Sequence, residues 1–128
     1  MRLLLDTHTF LWFSDGDAQL SVPARRFIED SRNDICLSIA SVWEIAIKIS
    51  TGKLALHDPP TTVIAQQQRD NDIALLGIAI EYIAGLTTLP FHHRDPFDRL
   101  LIVQAMAENM PIISADEAFD AYAVTQLW

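Results

Sequence analysis

Five carboxylates stand where apolar segments end or helical ones begin: Asp6, Glu44, Asp95, Asp98 and Asp116. Gathered within about 5 Å, such groups repel one another by roughly 3 kcal/mol per pair at an effective dielectric of about 20. A bare cluster of four would not persist, so protons are taken up or a hard cation binds. Donors that are all oxygen, with open positions left over, suit Mg²⁺ or Mn²⁺ far better than zinc. Such a site lowers the pKa of a water and stabilises a phosphodiester transition state, the logic of metal-assisted in-line cleavage. Hydrolysis of RNA or DNA is the chemistry these residues suggest.

Each acid also has a plain structural reading. Glu44 follows Ser41 at the spacing of a capping box, Asp98 suits the positive end of a helix, and Asp116 can cap the segment that starts at Glu117. Asp6 has the least structural reason to be there, because it closes an apolar strand with no helix expected at its shoulder. His92 and His93, adjacent in a proline-flanked loop, are expected to face solvent. Trp12, Trp43 and Trp128 are expected in the core or at a dimer contact.

The elements that must position these residues alternate along the chain. Arg2 to Asp6 has the form of a buried parallel strand. Leu20 to Asp30 reads as a helix, with Ser21 as its N-cap and Pro23 in its first turn. Asp34 to Ile39 is a second strand, and the capping box from Ser41 to Glu44 predicts a helix from Val42 to Thr51 that stops at Gly52. Thr61 to Arg69 is a more polar helix, Ile73 to Leu76 a third strand, Ala79 to Leu86 a short helix, and Thr87 to Pro96 a loop. Apolar residues surround most of the segment Phe97 to Glu108, which predicts a buried helix ending at Asn109. Pro111 to Ser114 is a fourth strand, and the tail Ala121 to Trp128 offers a fifth. This order predicts an α/β fold, a three-layer α/β/α sandwich with a mainly parallel sheet of four or five strands. The carboxyl ends of parallel strands share one edge, where open sheets bind ligands. All five acids are therefore expected there.

The chain of 128 residues fits a single domain, residues 1–128, and half of it is apolar, which excludes disordered and fibrous classes. Seventeen acidic against nine basic residues leave a formal charge of −8, which argues against a binder that works by neutralising phosphates. Bound cations would reverse the sign locally. The basic candidates for contact with a nucleic acid are Lys48, Lys53, Arg94 and Arg99. The lone cysteine, Cys36, reads as a small core residue. No apolar run reaches the roughly 18 residues that a membrane span needs, and no signal-peptide core follows Met1, so a soluble cytoplasmic protein is expected. Phosphate-binding glycine motifs and the nucleophile elbow are absent.

Taken in order, these motifs resemble the PIN-domain proteins, and more narrowly the VapC-type ribonuclease toxins of bacterial toxin–antitoxin pairs. The resemblance begins with LLLDTHTFLW (Leu3 to Trp12), where Asp6 matches the first family acid and Thr7 the small hydroxyl residue after it. It continues through SIASVWEIAIKISTGKL (Ser38 to Leu54), with Glu44 as the second acid and Lys48 one turn on. HRDPFDRLLIVQA (His93 to Ala105) carries the third, assigned to Asp98 with Asp95 as a supporting ligand, although either can be the principal one. PIISADEAFDAY (Pro111 to Tyr122) supplies Ser114 and Asp116.

The resemblance implies a Mg²⁺- or Mn²⁺-dependent endoribonuclease that forms a homodimer and is held inactive by a cognate antitoxin. It implies that Asp6 and Asp98 bind metal, that Glu44 and Asp116 complete the site, and that Thr7 or Ser114 orients a carboxylate. Water attack would leave a 5′-phosphate and a 3′-hydroxyl. Two other readings stand beside it: a catalytically silent interaction module of the same fold, and a phosphatase of small substrates, whose usual D-x-D pattern is broken by Asp6-Thr7-His8.

Overall fold

Leu3, Leu4 and Leu5 belong alternately to two separate apolar clusters, because successive residues of a strand face opposite sides of a sheet. The computed structural model describes residues 1–128, and this alternation organises all of it. Ile35 and Leu37 join Leu3 and Leu5 on one face; Cys36 joins Leu4 on the other, buried as a core thiol. Ile112 and Ile113 divide in the same way.

The strands are β1 (Arg2–Leu5), β2 (Asp34–Ser38), β3 (Ala74–Leu76), β4 (Ile112–Ile113) and β5 (Gln126–Leu127), and the helices are α1 (Thr7–Asp15), α2 (Val22–Glu29), α3 (Ile39–Ser50), α4 (Pro60–Asn71), α5 (Ile80–Leu86) and α6 (Pro96–Glu108). A short 3₁₀ turn spans Glu117–Ala121. The sheet order is β3-β2-β1-β4-β5 and every pairing is parallel. The three-layer sandwich expected from the alternation is thus present with five strands. One apolar layer lies under α5 and α6; the other lies under α1, α2 and α4. Helix α3 contributes to both, through Ala40 and Ile45.

Two local expectations fail for identifiable reasons. The segment after Asp6 is not a loop but α1, whose buried face pairs Phe10 and Phe13 with Thr7 and Thr9. Thr9 is accommodated because its Oγ1 donates to the carbonyl of Ile113 at 2.8 Å. The helix ends at Gly16, left-handed at φ 66°, whose N–H returns to the carbonyls of Trp12 and Phe13. Helix α3 starts three residues earlier than its apparent capping box. Ser38 is the N-cap, accepting from the N–H of Ala40 at 3.0 Å, while its hydroxyl donates to Gln104 Oε1 at 2.6 Å. Gln104 in turn donates to the carbonyl of Gly77 at 3.1 Å, so one fully buried amide ties the end of β2 to α6 and to the chain leaving β3. No helix is long and apolar enough to cross a membrane.

Candidate active site

Asp6 is the last residue before α1 and caps it: Oδ1 accepts from the N–H of Thr7 at 2.7 Å. Its other oxygen accepts from Ser114 Oγ at 2.8 Å, across the sheet at the end of β4. Only 5% of Asp6 is exposed. Burial pushes its carboxyl above the ordinary range; the Ser114 and Thr7 hydrogen bonds and His8 pull the other way, and Glu44 adds to the rise. The idea that Asp6 lacks a structural reason is therefore corrected, since it serves as an N-cap while facing the cleft.

Glu44 lies in the second turn of α3, also buried. Thr7 Oγ1 is 2.8 Å from both Glu44 Oε1 and Ser41 Oγ. Lys48, one turn on, places Nζ 2.9 Å from Glu44 Oε2. Ser41 and Glu44 thus form no capping box; they belong to a polar seam between α1 and α3. Replacing Thr7 with valine keeps the shape and deletes the hydroxyl, leaving Glu44 Oε1 buried without that donor. The expected cost is about 1–3 kcal/mol in urea denaturation, with Thr7→Ser close to wild type. Equal stability of the valine and serine variants would show that the hydroxyl contributes nothing.

Asp95 and Asp98 divide their roles. Asp95 caps α6, with Oδ1 accepting from the N–H groups of Phe97 at 2.8 Å and Asp98 at 3.2 Å. Asp98 does no capping, and its side chain is 15% exposed. Its carboxyl is pushed up to about 8, first by burial and then by Asp6, Asp95, Glu44 and Asp116. The charges of the other four acids thus all reach Asp98 at the carboxyl edge of the sheet. Asp116 is exposed and caps the 3₁₀ turn through Ala118 N–H at 2.9 Å. Its own N–H donates to Ser114 Oγ at 3.0 Å, so one buried hydroxyl links Asp6 to the Asp116 backbone. Asp6 and Asp116 line a common hollow with His8 and Trp12.

His93, expected to face solvent, instead joins the cleft. Donor atoms of His93, Asp98 and Asp116 lie within 4.8 Å of one another. Nδ1 accepts from the N–H of Asp95 at 3.3 Å, and Nε2 is 2.9 Å from Asp98 Oδ2 although the alignment misses hydrogen bonding. Nothing in the sequence separates His93 from His92, which is exposed and packs edge-on against Tyr122. Tyr122 makes the distinction, because its hydroxyl accepts from the N–H groups of both histidines, at 3.0 and 2.8 Å, and fixes the loop.

The basic residues divide as well. Lys48 borders the cleft and Arg94 is exposed beside it in sequence. Arg99 is corrected: it is buried and donates to the carbonyls of Pro90 at 2.9 Å, Leu89 at 3.3 Å and Leu86 at 3.5 Å, and to Tyr122 Oη at 3.4 Å. Its guanidinium also lies 3.9 Å from the centroid of the Phe91 ring. Both of its terminal nitrogens are spent on the loop, which withdraws the buried guanidinium from phosphate. None of the three tryptophans is fully buried within the chain. Trp43 is 57% exposed and meets Phe97 edge-on, while Trp12 and Trp128 are partly buried against each other.

Comparison with known proteins bears on this geometry. Ribonuclease VapC16 of Mycobacterium tuberculosis (strain ATCC 25618 / H37Rv) is 42% identical over 45 residues, 35% of this chain and 32% of that protein, so the match spans about a third of the relative's length. Among solved structures, VapBC2 from Rickettsia felis bound to a promoter DNA fragment superposes with a TM-score of 0.70 at 14% identity, covering 99% of this chain and 98% of that one. VapBC-5 from Mycobacterium tuberculosis gives 0.60 at 16% identity, covering 98% and 95%. At these identities the structures attest to the fold. The PIN domain family model matches residues 3–124, nearly the whole of the sheet and every acid of the cleft, and the chain belongs to that family.

Proposed function

We propose that this chain is a divalent-cation-dependent endoribonuclease that cuts RNA phosphodiester bonds with water, and that it is the toxin of a toxin–antitoxin pair. The observation that carries the reading is the cluster at the sheet edge, where donor atoms of Asp98, Asp116 and His93 lie within 4.8 Å of one another and Asp6 shares a hollow with Asp116. A site that holds its acids this close, with oxygen donors predominating, fits Mg²⁺ or Mn²⁺. The naming of the matched relative as a ribonuclease and of the superposed structures as VapBC proteins supports the same reading.

In this reading Asp6, Asp98 and Asp116 hold the metal and Glu44 completes the site. Asp95 supports Asp98 from the N-cap of the same helix. When bound, the cation supplies Lewis acidity that activates water and offsets charge growing on the phosphate. The chain does the rest. Ser114 holds Asp6 and Thr7 holds Glu44 in fixed orientations; Lys48 and Arg94 draw the RNA backbone to an otherwise acidic surface. A second copy in a homodimer doubles those basic residues, and an antitoxin partner in the cytoplasm keeps the enzyme silent.

A mixed RNA pool incubated with the protein in Mn²⁺ should be cut to 5′-phosphate and 3′-hydroxyl ends, and EDTA should stop the reaction. Persistence of cleavage in excess EDTA, or 2′,3′-cyclic ends, would rule out this chemistry. No cleavage at enzyme excess would leave the silent module.

A further inference from the structure

We infer that the hollow bordered by Trp12, Lys53 and Asp15 is a nucleobase subsite that selects guanine next to the scissile phosphate. The inference rests on the ribonuclease reading and adds its sequence preference. The hollow has a volume of about 360 Å³ and opens between α1 and the loop that follows α3, within the size range of small-ligand sites. Trp12 and His8 form part of its lining, with ring centroids 5.8 Å apart, while Leu54 and Leu56 contribute from the loop. Trp12 is braced from behind by Trp128, edge-on at 5.8 Å.

His8 and Trp12 also line the hollow that contains Asp6 and Asp116. The two spaces therefore share one aromatic wall. Lys48 joins them a second time, since it lines the larger hollow and pairs with Glu44 of the cleft. An RNA strand with a phosphate at the acids brings its neighbouring base to Trp12, and stacking on an aromatic face accepts any base.

Selection comes from the carboxylates. Asp15 and Asp17 both line the hollow and offset the charges of Lys48 and Lys53, so no net positive charge draws a phosphate inside and the base is the part that enters. Asp17 is engaged by Gln19, whose backbone N–H and side-chain amide donate to it at 2.8 and 3.4 Å. The exposed Asp15 carboxylate has no hydrogen bond or ion pair within the chain, and it stands at the carboxyl end of α1, where the helix dipole disfavours an acid. A carboxylate only accepts. Guanine offers it two adjacent donors, N1–H and the 2-amino group; adenine and cytosine offer an amino group beside a bare ring nitrogen, and uracil offers one N–H between two carbonyls. Lys53, exposed at the rim, attracts the backbone whichever base is bound.

The test uses the full chain with Mg²⁺ and the four nucleoside 5′-monophosphates as probes, titrated by ligand-observed NMR. GMP should bind at least about fivefold tighter than UMP. Asp15→Asn should remove that preference, and Lys53→Ala should weaken all four alike; both residues are exposed, and matched thermal melts check the fold. End-mapping of a cleaved random RNA pool should show guanine enriched at one position beside the cut, and that enrichment should vanish in Asp15→Asn. Equal binding of the four nucleotides, or an unchanged cut-site profile in Asp15→Asn, overturns the subsite while chelator-sensitive cleavage keeps the nuclease reading. GMP preference that depends on Asp15 without any RNA cleavage keeps the subsite and overturns the nuclease reading.

Discussion

Asp98→Asn should raise the melting temperature of the protein in EDTA at pH 8 while reducing cation-dependent RNA cleavage by at least about a hundredfold. Both effects come from one carboxyl. In the folded protein it titrates near 8, against an ordinary value of 3.8, because burial and then Asp6, Asp95, Glu44 and Asp116 oppose its charge. Between pH 4 and 8 the native state therefore holds a proton that the unfolded chain has already released, so stability falls as pH rises through this window and levels off above it. Four pKa units correspond to roughly 5 kcal/mol at most. Solvent at the cleft rim screens this to about 2 kcal/mol, or several degrees of melting temperature. Asparagine matches the protonated acid in shape and cannot ionise.

The variant should match wild type near pH 4 and exceed it increasingly towards pH 8. Buried Asp6, whose carboxyl is also raised, adds a slope of the same sign in both proteins. Mn²⁺ should stabilise wild type and leave the variant's melting curve almost unmoved, because one of its charged ligands is gone. Parallel pH–stability curves for the two proteins would remove Asp98 from the centre of the cleft. Such a result would also take away the main support for the proposed chemistry.

Arg99→Ala should be strongly destabilising for a polar position, costing about 2–4 kcal/mol in urea denaturation. The guanidinium meets no carboxylate. Its charge is balanced by the carbonyls of Leu86, Leu89 and Pro90, and Leu86 closes α5, whose negative end favours a cation. Removal leaves the carbonyls of Leu86 and Leu89 without a donor, leaves that of Pro90 to the Tyr122 hydroxyl alone, and releases the segment that carries His93. Lysine should rescue little, because a compact ammonium cannot span four separate acceptors or stack on Phe91. Amide exchange across residues 86–93 should accelerate in both variants. A stability within about 1 kcal/mol of wild type would mean that solvent replaces the guanidinium at no cost, contrary to its burial.

Arg99 also illustrates how far a sequence can be read. Apolar residues surround most of α6, and Ile102 and Val103 lie on the face of Arg99, so its burial had a legible signal. The nearby acids drew attention to phosphate instead. Helix α1 carried signals too, in Phe10, Phe13 and the terminating Gly16, but its two buried threonines masked the apolar face. Ser41 and Glu44 misled in the opposite direction. They satisfy the spacing of a cap that the backbone places three residues earlier, at Ser38.

The three layers, the parallel sheet and the edge at which the candidate acids were expected were all legible in the order of residues along the chain. Periodicity and the handedness of crossovers are local or topological properties that short stretches of chain carry in full. Which acids cap a helix and which do not, the entry of His93 but not His92 into the cleft, and the service of Arg99 to a loop became legible only in the folded chain. Those outcomes depend on hydrogen bonds between residues far apart in the chain, such as Ser114 to Asp6 and Arg99 to Tyr122, and no local pattern encodes which distant donor will arrive.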